Sequence, residues 1–284
     1  MILIDYSQAC IAAIMAMTEN PRKVNIDIIR HVVLNMIRSY KKKYGAEFGE
    51  VIICTDSKNN WRKKKFPLYK AKRKTDRAKS PYDWDLIFKS INQIRTELKD
   101  YFPYRVLEIE GAEADDIIAA LVEIWAPANK PTVIISSDND FLQLQKYKHV
   151  KQFSPILNKY ITTDDPKRFL EEHILDGDRG DGVPNFLSPD DTFITGERQK
   201  PITKKKLEIW LESKPEDYCD NVMLSRYKRN KEMIDLTMIP AEIKSAILQE
   251  FEVAVPKNFN RKRLTEYFME MKLANLFDVI GDFT

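Results

Sequence analysis

The sequence contains few of the residues that build disulfide frameworks and soft-metal sites. Its 284 residues include three cysteines, Cys10, Cys54 and Cys219, and three histidines. The cysteines are odd in number and far apart, which excludes a disulfide framework and a zinc knuckle and indicates the reducing cytoplasm. Because the histidines are scattered, we expect no His/Cys metal set.

A long hydrophobic run is also missing. The most apolar stretch, MILIDYSQACIAAIMAM at residues 1–17, is interrupted by Asp5 and lacks the basic start of a signal peptide. No other stretch approaches the roughly 20 apolar residues that a membrane span needs. We therefore expect a soluble, cytoplasmic protein that begins with a buried strand and a buried helix.

Apolar periodicity predicts an α/β fold. Amphipathic helical patterns separate four short apolar runs, which favours a parallel central sheet flanked by helices on both faces. The four runs are MILID, EVIICTD, YRVLEIE and TVIISSD. Beyond these runs the pattern becomes helical throughout, so we predict an α/β domain over residues 1–175 and a smaller all-helical domain over residues 176–284.

Positive charge is concentrated in one segment. Residues 58–79 hold eleven Lys and Arg side chains and one Asp, although the formal net charge of the whole chain is only +3. Trp61, Phe66 and Tyr69 are interleaved with these charges, a combination that binds nucleic acid by phosphate neutralisation and base stacking. The alternative is a solvated basic loop. If the segment is ordered, Lys70 and Arg73 lie one helical turn apart and point the same way.

Carboxylates follow every predicted strand. One such Asp is most often a turn former or a helix cap. Four strands in succession favour a common purpose, because the carboxyl ends of parallel strands meet at the edge where ligands bind. The residues are Asp5 after the first strand, Asp56 after the second, Glu113, Asp115 and Asp116 after the third, and Asp138 and Asp140 after the fourth.

Two more aspartates lie near the predicted domain boundary. Asp178 and Asp181 belong to ILDGDRGDGVPNF, which resembles a calcium loop only superficially, since Leu187 stands where the closing Glu would be. Their spacing allows both side chains to turn toward the strand-end carboxylates. In TVIISSDNDFLQL, an extended strand would point Asp138 and Asp140 to one side, and without metal we expect their pKa values to be raised.

Carboxylates without nearby His or Cys suit Mg²⁺ or Mn²⁺. Two such ions about 4 Å apart can clamp a phosphodiester, activate a water and stabilise the leaving oxygen. Beside the basic segment, this set predicts phosphodiester hydrolysis. A phospho-acceptor receiver domain also gathers acids at strand ends, but it is shorter and does not need a basic segment.

The motifs occur in an order that resembles the 5′ nuclease, or flap endonuclease, family, including the RNase H enzymes of T-even bacteriophages. They are LIDYS, CTDSKNNWRKKKFPLYKAKR, AEADDIIA, ISSDNDFLQL and GDRGDGVPNF. The resemblance implies a parallel-sheet nuclease domain, an arch at about residues 57–80 and a helix-three-turn-helix element that holds duplex DNA. It also implies Mg²⁺-dependent 5′→3′ exonuclease and flap cleavage that removes RNA primers, with adjacent DNA, from lagging-strand fragments.

The resemblance also assigns roles to residues. Tyr69, Lys70 and Arg73 match arch residues that touch the scissile phosphate and the terminal nucleotide. Glu113 and Asp116 support two metal sites, the first formed by Asp5, Asp56, Asp115 and Asp138 and the second by Asp140, Asp178 and Asp181. The candidate DNA contacts are Arg62, Lys63, Lys64, Lys65, Lys72 and Lys74 in the arch, and Thr203, Lys204 and Lys205 at a helix start.

Partners follow from the same resemblance. A monomeric enzyme would act on branched, flap or nicked duplex DNA and RNA–DNA hybrid, beside a phage sliding clamp and a single-stranded-DNA-binding protein in the host cytoplasm. The C-terminal NLFDVIGDFT is interpreted as a terminal helix packed on the domain, with a clamp-binding peptide as the alternative. The rival function is a non-catalytic branched-DNA-binding protein of the same fold. Such a protein would be expected to have lost the metal-binding acidic residues, whereas every expected one is present. A third alternative, a toxin-like ribonuclease with the same sheet, would be a shorter chain.

Overall fold

A six-stranded β-sheet forms the centre of the protein in a computed structural model that describes residues 1–17 and 20–284. The strand order is β3-β2-β1-β4-β5-β6. The strands are β1 (Ile2–Asp5), β2 (Val51–Thr55), β3 (Arg105–Glu108), β4 (Thr132–Ile135), β5 (Val150–Ser154) and β6 (Lys159–Ile161).

The first five strands are parallel, which confirms the predicted sheet. Every residue of β1, β2 and β4 is buried, as expected of strands covered on both faces. Strand β6 adds an antiparallel edge to β5 that periodicity did not predict. It has three residues, none of them buried, and follows a turn in which Asn158 takes a left-handed φ of 50°.

Helices cover both faces of the sheet. Two of the longest begin where an N-cap side chain accepts a backbone N–H, at Asn25 and at Asp83. No helix in the described part of the chain is long and apolar enough to cross a membrane. The α-helices of residues 1–17 and 20–284 are α1 (Tyr6–Met17), α2 (Ile26–Phe48), α3 (Trp61–Lys65), α4 (Arg73–Ala78), α5 (Trp84–Tyr101), α6 (Ala114–Trp125), α7 (Pro166–Asp176), α8 (Thr192–Thr195), α9 (Lys204–Leu211), α10 (Pro215–Tyr218), α11 (Asn221–Ile234), α12 (Ala241–Val253) and α13 (Arg261–Glu270).

Strand alternation divides the interior into two cores. Ile2 and Ile4 of β1 face a core built with α1, α2 and α5, whereas Leu3 faces a core built with α6 and α12. The last helix, α13, joins the first core. The predicted packing of the C-terminal segment is confirmed, since Phe283 is fully buried there, although the segment forms short 3₁₀ turns and not a helix.

A third core connects the basic segment to the C-terminal helices. Phe66 and Tyr69 pack in it with side chains of α7 and α11, among them Ile174 and Tyr227. Helix α7 runs through the boundary predicted after residue 175, and that boundary stays a prediction. The helix-three-turn-helix element also stays a prediction.

A buried ion pair joins three helices of the first core. Arg30 of α2 is 3% exposed and donates to both carboxylate oxygens of Glu97 in α5, at 2.9 and 3.0 Å. The Tyr267 hydroxyl of α13 donates to the same carboxylate at 2.7 Å. Asp27 also contacts Arg30, but its side chain is 77% exposed.

We predict that Glu97→Ala lowers the free energy of unfolding by about 3–5 kcal/mol, because it leaves the Arg30 guanidinium buried without its main partner. The matched control is Asp27→Ala, which removes an exposed partner of the same guanidinium and should cost less than about 1 kcal/mol. Urea denaturation measures both values. Equal losses in the two variants would contradict this account of the core.

Candidate active site

A cleft of about 770 Å³ opens at the carboxyl ends of β1, β2 and β4. The predicted convergence of strand-end acids occurs here, and each of the four predicted strands contributes at least one carboxylate. Asp5 is buried and Asp56 is exposed at the rim. The carboxylates that line the cleft are Asp5, Asp56, Glu113, Asp115 and Asp138.

Local hydrogen bonds fix these side chains. Asp5, the last residue of β1, accepts a hydrogen bond from Ser136 Oγ at 2.8 Å, which ties β1 to the end of β4. Asp56 accepts from the backbone N–H of Ala114 at 3.0 Å, which ties the end of β2 to the start of α6. The Asp5 and Asp56 side chains are therefore braced by the neighbouring strand or helix.

The expectation of an extended chain through Asp138 and Asp140 is wrong. Strand β4 ends at Ile135, and a 3₁₀ helix runs over Asn139–Lys146. The Asp138 side chain caps that helix, because its Oδ1 accepts a hydrogen bond from the backbone N–H of Asp140 at 3.0 Å. This local hydrogen bond stabilises a turn in place of an extended strand. Asp138 thus lines the cleft, while Asp140 is turned toward α7.

Asp140 meets a histidine that the sequence did not single out. Its Oδ1 lies 2.9 Å from His173 Nε2, and Asp178 Oδ2 lies 3.4 Å from the same nitrogen. The scattered histidines predicted no His/Cys metal set, and this group of one histidine and two aspartates is a candidate metal site that their spacing did not reveal. Its place in the sequence could have pointed to it, because His173 lies in the last turn of α7, only five residues before Asp178.

Asp181 is held by the basic segment. Its carboxylate lies 2.6 Å from the Tyr69 hydroxyl, 2.6 Å from Arg73 Nη2 and 3.4 Å from Lys70 Nζ. The Lys70 backbone, in the left-handed region at φ 57°, donates to the Asp181 carbonyl at 2.7 Å. Lys70 and Arg73 do point the same way, toward the acids.

Glu113 and Asp116 are occupied by an internal cation. Arg62 Nη1 lies 3.1 Å from Glu113 and 2.8 Å from Asp116, and Trp61 donates to Asp116 at 3.1 Å. Asp116 is fully buried, caps α6 and does not line the cleft, so the structure gives its predicted role at a metal no support. Lys70 Nζ adds a contact of 2.6 Å to Glu113.

Two predictions for the basic segment are also wrong. Arg62 is 2% exposed and donates to the Met233 carbonyl as well as to the acids, so it is not available to DNA. Trp61, Phe66 and Tyr69 are all buried, so they cannot stack on bases. Interleaved aromatic residues predicted stacking, but here they anchor the segment in the third core.

The remaining cations divide into two groups. Lys63, Lys70, Arg73 and Lys74 line the cleft, as do Lys58 and Arg77, which sequence reasoning left out. The predicted DNA contacts outside the lining are Lys64, Lys65 and Lys72 on the segment, and Thr203, Lys204 and Lys205 at the start of α9, where Thr203 is the N-cap. The lining also contains apolar side chains, among them Ile11, Met15 and Ile156.

Crowding and burial disfavour the charged form of the cleft acids. Burial and the neighbouring Asp56 raise the pKa of Asp5 to about 7, and burial and Asp140 raise that of Asp138 to about 8. Burial and Asp138 also raise the pKa of Asp115 well above its usual value. Burial raises the pKa of Asp140 too, so the expected direction is confirmed for both aspartates of the fourth strand end.

The acids beside side-chain cations behave differently. Although burial opposes its ionisation, Lys70 and Arg62 hold the pKa of Glu113 at about 2. Burial also opposes the charge of His173, but Asp140 and Asp178 raise its pKa to about 10. The site therefore contains two kinds of carboxylate. Some, such as Glu113, are already paired with a side-chain cation, and others, such as Asp138, are not.

Comparison with known proteins decides the family. The family model described as "5'-3' exonuclease, N-terminal resolvase-like domain" matches residues 1–173, and that described as "T4 RNase H, C terminal" matches residues 169–283. The ribonuclease H of Enterobacteria phage T4 is 32% identical over an alignment of 295 positions, which covers 99% of this chain and 95% of the relative. The chain belongs to the 5′-3′ exonuclease family. It is a nuclease.

Solved structures of the family share the fold. A zinc-bound 5′-exonuclease of phage T5 superimposes with a TM-score of 0.63 at 17% identity, covering 90% of this chain and 99% of that one. A T5 flap endonuclease in a complex with DNA and metal ions gives a TM-score of 0.62 at 17% identity, covering 88% and 98%. The mostly parallel sheet with its helical C-terminal part is thus the fold of these nucleases.

The donor set in the cleft fits divalent cations. Asp5, Asp115 and Asp138 face one cleft with raised pKa values, and oxygen donors of this kind are the ligands that Mg²⁺ and Mn²⁺ prefer. A divalent cation would favour the ionised form of each and offset their mutual repulsion. Divalent-metal dependence is therefore indicated by the site and by the family together.

We predict that in EDTA the melting temperature of the nuclease falls as pH rises from about 4 to about 8. Asp5 and Asp138 ionise near 3.8 in the unfolded chain but near 7 and 8 in the folded one. The folded state binds these protons more tightly, so the stability they contribute is complete below the unfolded pKa and is lost as pH passes the folded pKa. Thermal unfolding at successive pH values measures the slope.

Asp138→Asn is the control for this slope, because an amide does not titrate. Its melting temperature should depend less on pH than that of the wild-type protein over the same range. An unchanged slope in the variant, or stability that rises with pH in wild type and variant alike, would contradict the raised pKa values.

Proposed function

We propose that this nuclease is a Mg²⁺-dependent 5′→3′ exonuclease and structure-specific flap endonuclease that uses two divalent ions, with Mn²⁺ able to replace Mg²⁺. Its substrates would be branched, flap or nicked duplexes and RNA–DNA hybrids. In this role it would remove RNA primers and adjacent DNA from lagging-strand fragments during phage replication.

One observation carries the proposal. Within residues 1–17 and 20–284, no Lys, Arg or His nitrogen lies within 4 Å of the cleft carboxylates Asp5, Asp56, Asp115 and Asp138 in an ion pair, although six cations line the same cleft. Glu113 and Asp181, by contrast, each have several cationic or hydroxyl partners. Four crowded carboxylates without a side-chain cation form a ready site for a hard cation.

The protein side of the mechanism follows from these positions. When bound, divalent ions would supply Lewis acidity and a water of lowered pKa. Asp5, Asp56, Asp115 and Asp138 would hold the first ion. Glu113, itself ionised and held by Arg62, fixes the Lys70 ammonium at the cleft wall at 2.6 Å.

Lys70 and Arg73 would act on the phosphate. Both line the cleft, and both are held by Asp181 at 3.4 and 2.6 Å. Their charges would offset the negative charge that develops on the scissile phosphoryl oxygens, and their positions are fixed before the reaction begins. The Tyr69 hydroxyl, 2.6 Å from Asp181, would position these two residues and would not touch the substrate itself.

The lining of the cleft suits a single strand. Phosphates would follow the cations Lys58, Lys63, Lys74 and Arg77, and bases would meet the apolar side chains, which include Met15. The start of α9, with Thr203 as N-cap, would contact duplex phosphates outside the cleft. The enzyme would act as a monomer in the host cytoplasm beside a sliding clamp and a single-stranded-DNA-binding protein.

We predict that Asp115→Asn abolishes cleavage of a 5′-labelled flap in Mg²⁺ while the affinity for the flap stays within about threefold of wild type. The substitution replaces one metal-binding carboxylate in the cleft by a neutral amide but leaves the Lys and Arg side chains of the cleft unchanged. Asp176→Asn, which changes an exposed aspartate beside the second acidic group, is the matched control and should cleave normally. Cleavage is measured by gel and affinity by fluorescence anisotropy.

The same assay separates the alternatives. Turnover by Asp115→Asn close to that of wild type would contradict the assigned metal site. Flap binding by the wild-type protein without cleavage, in Mg²⁺ and in EDTA alike, would indicate a non-catalytic branched-DNA-binding protein. Preferred cleavage of a hairpin RNA would indicate a toxin-like ribonuclease.

We also predict that Lys63→Ala and Lys74→Ala each weaken flap binding and reduce the salt dependence of the binding constant by about one counterion. Both side chains line the cleft, whereas Lys65 lies outside the lining and pairs with Glu232 at 3.1 Å. Lys65→Ala is therefore the control with unchanged affinity. Anisotropy titrations at several salt concentrations give the dependence of the binding constant on salt for each variant. Equal effects of all three substitutions would indicate that the nucleic-acid strand does not lie in the cleft.

A further inference from the structure

The second acidic group differs from the first in containing an imidazole. His173 Nε2 and one carboxylate oxygen each from Asp140 and Asp178 lie within 4.8 Å of one another. In the cleft all the candidate ligands are oxygens. The two groups therefore offer different donor chemistry to a cation.

The contact between His173 and Asp140 is close but poorly aligned. His173 Nε2 and Asp140 Oδ1 are 2.9 Å apart and both are buried, but the two atoms do not meet the geometry of an aligned hydrogen bond. Asp140 is only 9% exposed. A buried carboxylate oxygen gains most from a well-aligned partner, so a cation held between the two side chains would satisfy both atoms better than this contact does.

The spacing of the donors suits a shared ion. Two ligands with bonds of about 2.1 Å lie about 3.0 Å apart at a right angle and about 3.4 Å apart at the tetrahedral angle. The distances from His173 Nε2 are 2.9 Å to Asp140 Oδ1 and 3.4 Å to Asp178 Oδ2. Phe169 stacks on the imidazole at 5.8 Å between centroids and 19° between planes, which holds the ring in this orientation.

Asp181 cannot complete this group as it stands. Its carboxylate is bound by Tyr69 and Arg73, each at 2.6 Å. An ion beside Asp140 and Asp178 would have to displace those partners to gain Asp181, whereas His173 is already in place. The imidazole nitrogen is therefore better placed than the Asp181 carboxylate to be the third donor.

We propose that His173, with Asp140 and Asp178, is a ligand of the second metal position and makes that position favour first-row transition-metal ions over Mg²⁺. Imidazole nitrogen is a better ligand for first-row divalent ions, from Mn²⁺ as the weakest toward Co²⁺ and Zn²⁺, than for Mg²⁺, which prefers carboxylate, carbonyl and water oxygens. This inference rests on the proposed function in one respect, namely that the acidic site binds divalent cations. It adds the identity of the nitrogen donor and the selectivity that the donor confers.

The test uses Mn²⁺ alone as the probe and reads out binding, not activity. In an Asp115→Asn background, which removes a ligand of the first position, pulsed electron paramagnetic resonance should detect ¹⁴N coupled to bound Mn²⁺. Adding His173→Gln should remove that coupling, weaken Mn²⁺ binding by at least about tenfold and leave Mg²⁺ binding, measured by competition, nearly unchanged. His31→Gln, at a half-buried histidine paired with Asn35 on α2, is the matched control.

The outcomes separate this inference from the proposed function. Bound Mn²⁺ without ¹⁴N coupling, or Mn²⁺ affinity that stays the same or rises in His173→Gln, would overturn the ligand assignment and indicate that the imidazole acts as a fixed cation. Failure of the wild-type protein to bind Mn²⁺ at all would overturn the metal-dependent function itself. Circular dichroism of each variant confirms that the fold is retained.

Discussion

Repulsion among carboxylates at one edge of a parallel sheet is the constraint on which the rest of the site depends. Asp5, Asp56, Asp115 and Asp138 meet there because strand and helix termini converge, and the raised pKa values of Asp5 and Asp138 show the cost of charging them. A fold that only needed stability would replace these side chains. Their presence without side-chain cations is the physical reason to expect metal.

The surrounding structure compensates the other acids with side chains. Arg62 neutralises Glu113 and Asp116 from inside the protein, and Lys70 and Arg73 reach Asp181 from the basic segment. The same contacts attach the segment to the site, while its aromatic side chains are buried in the third core. The lysines that remain on the surface then face the cleft or the solvent. Within one segment, some cations thus neutralise carboxylates of the protein, while their neighbours remain free to bind substrate.

The sheet and the position of the acids could be predicted because they depend on short-range pattern and on one topological rule. Apolar runs give strands, and acids at their carboxyl ends must meet. Burial of individual side chains could not be predicted, since composition does not distinguish Arg62, held at 2% exposure by two carboxylates, from the exposed lysines beside it.

The remaining errors have local or long-range causes. Asp138 breaks the strand through one side-chain-to-backbone hydrogen bond, which competes with extension over a few residues. His173 reaches Asp140 only because α7 packs on the 3₁₀ helix that follows β4, a contact between segments about 30 positions apart. Pattern along the chain carries no information on such a contact. These are the places where tertiary structure determines the chemistry of the site.

Divalent cations would give the open carboxylates at the sheet edge the cationic partners that no side chain of residues 1–17 and 20–284 supplies. The most direct measurement is anomalous diffraction from crystals of the protein soaked in Mn²⁺. We expect an anomalous peak within bonding distance of Asp5, Asp115 and Asp138. Well-ordered carboxylates with no peak among them at saturating Mn²⁺ would contradict it.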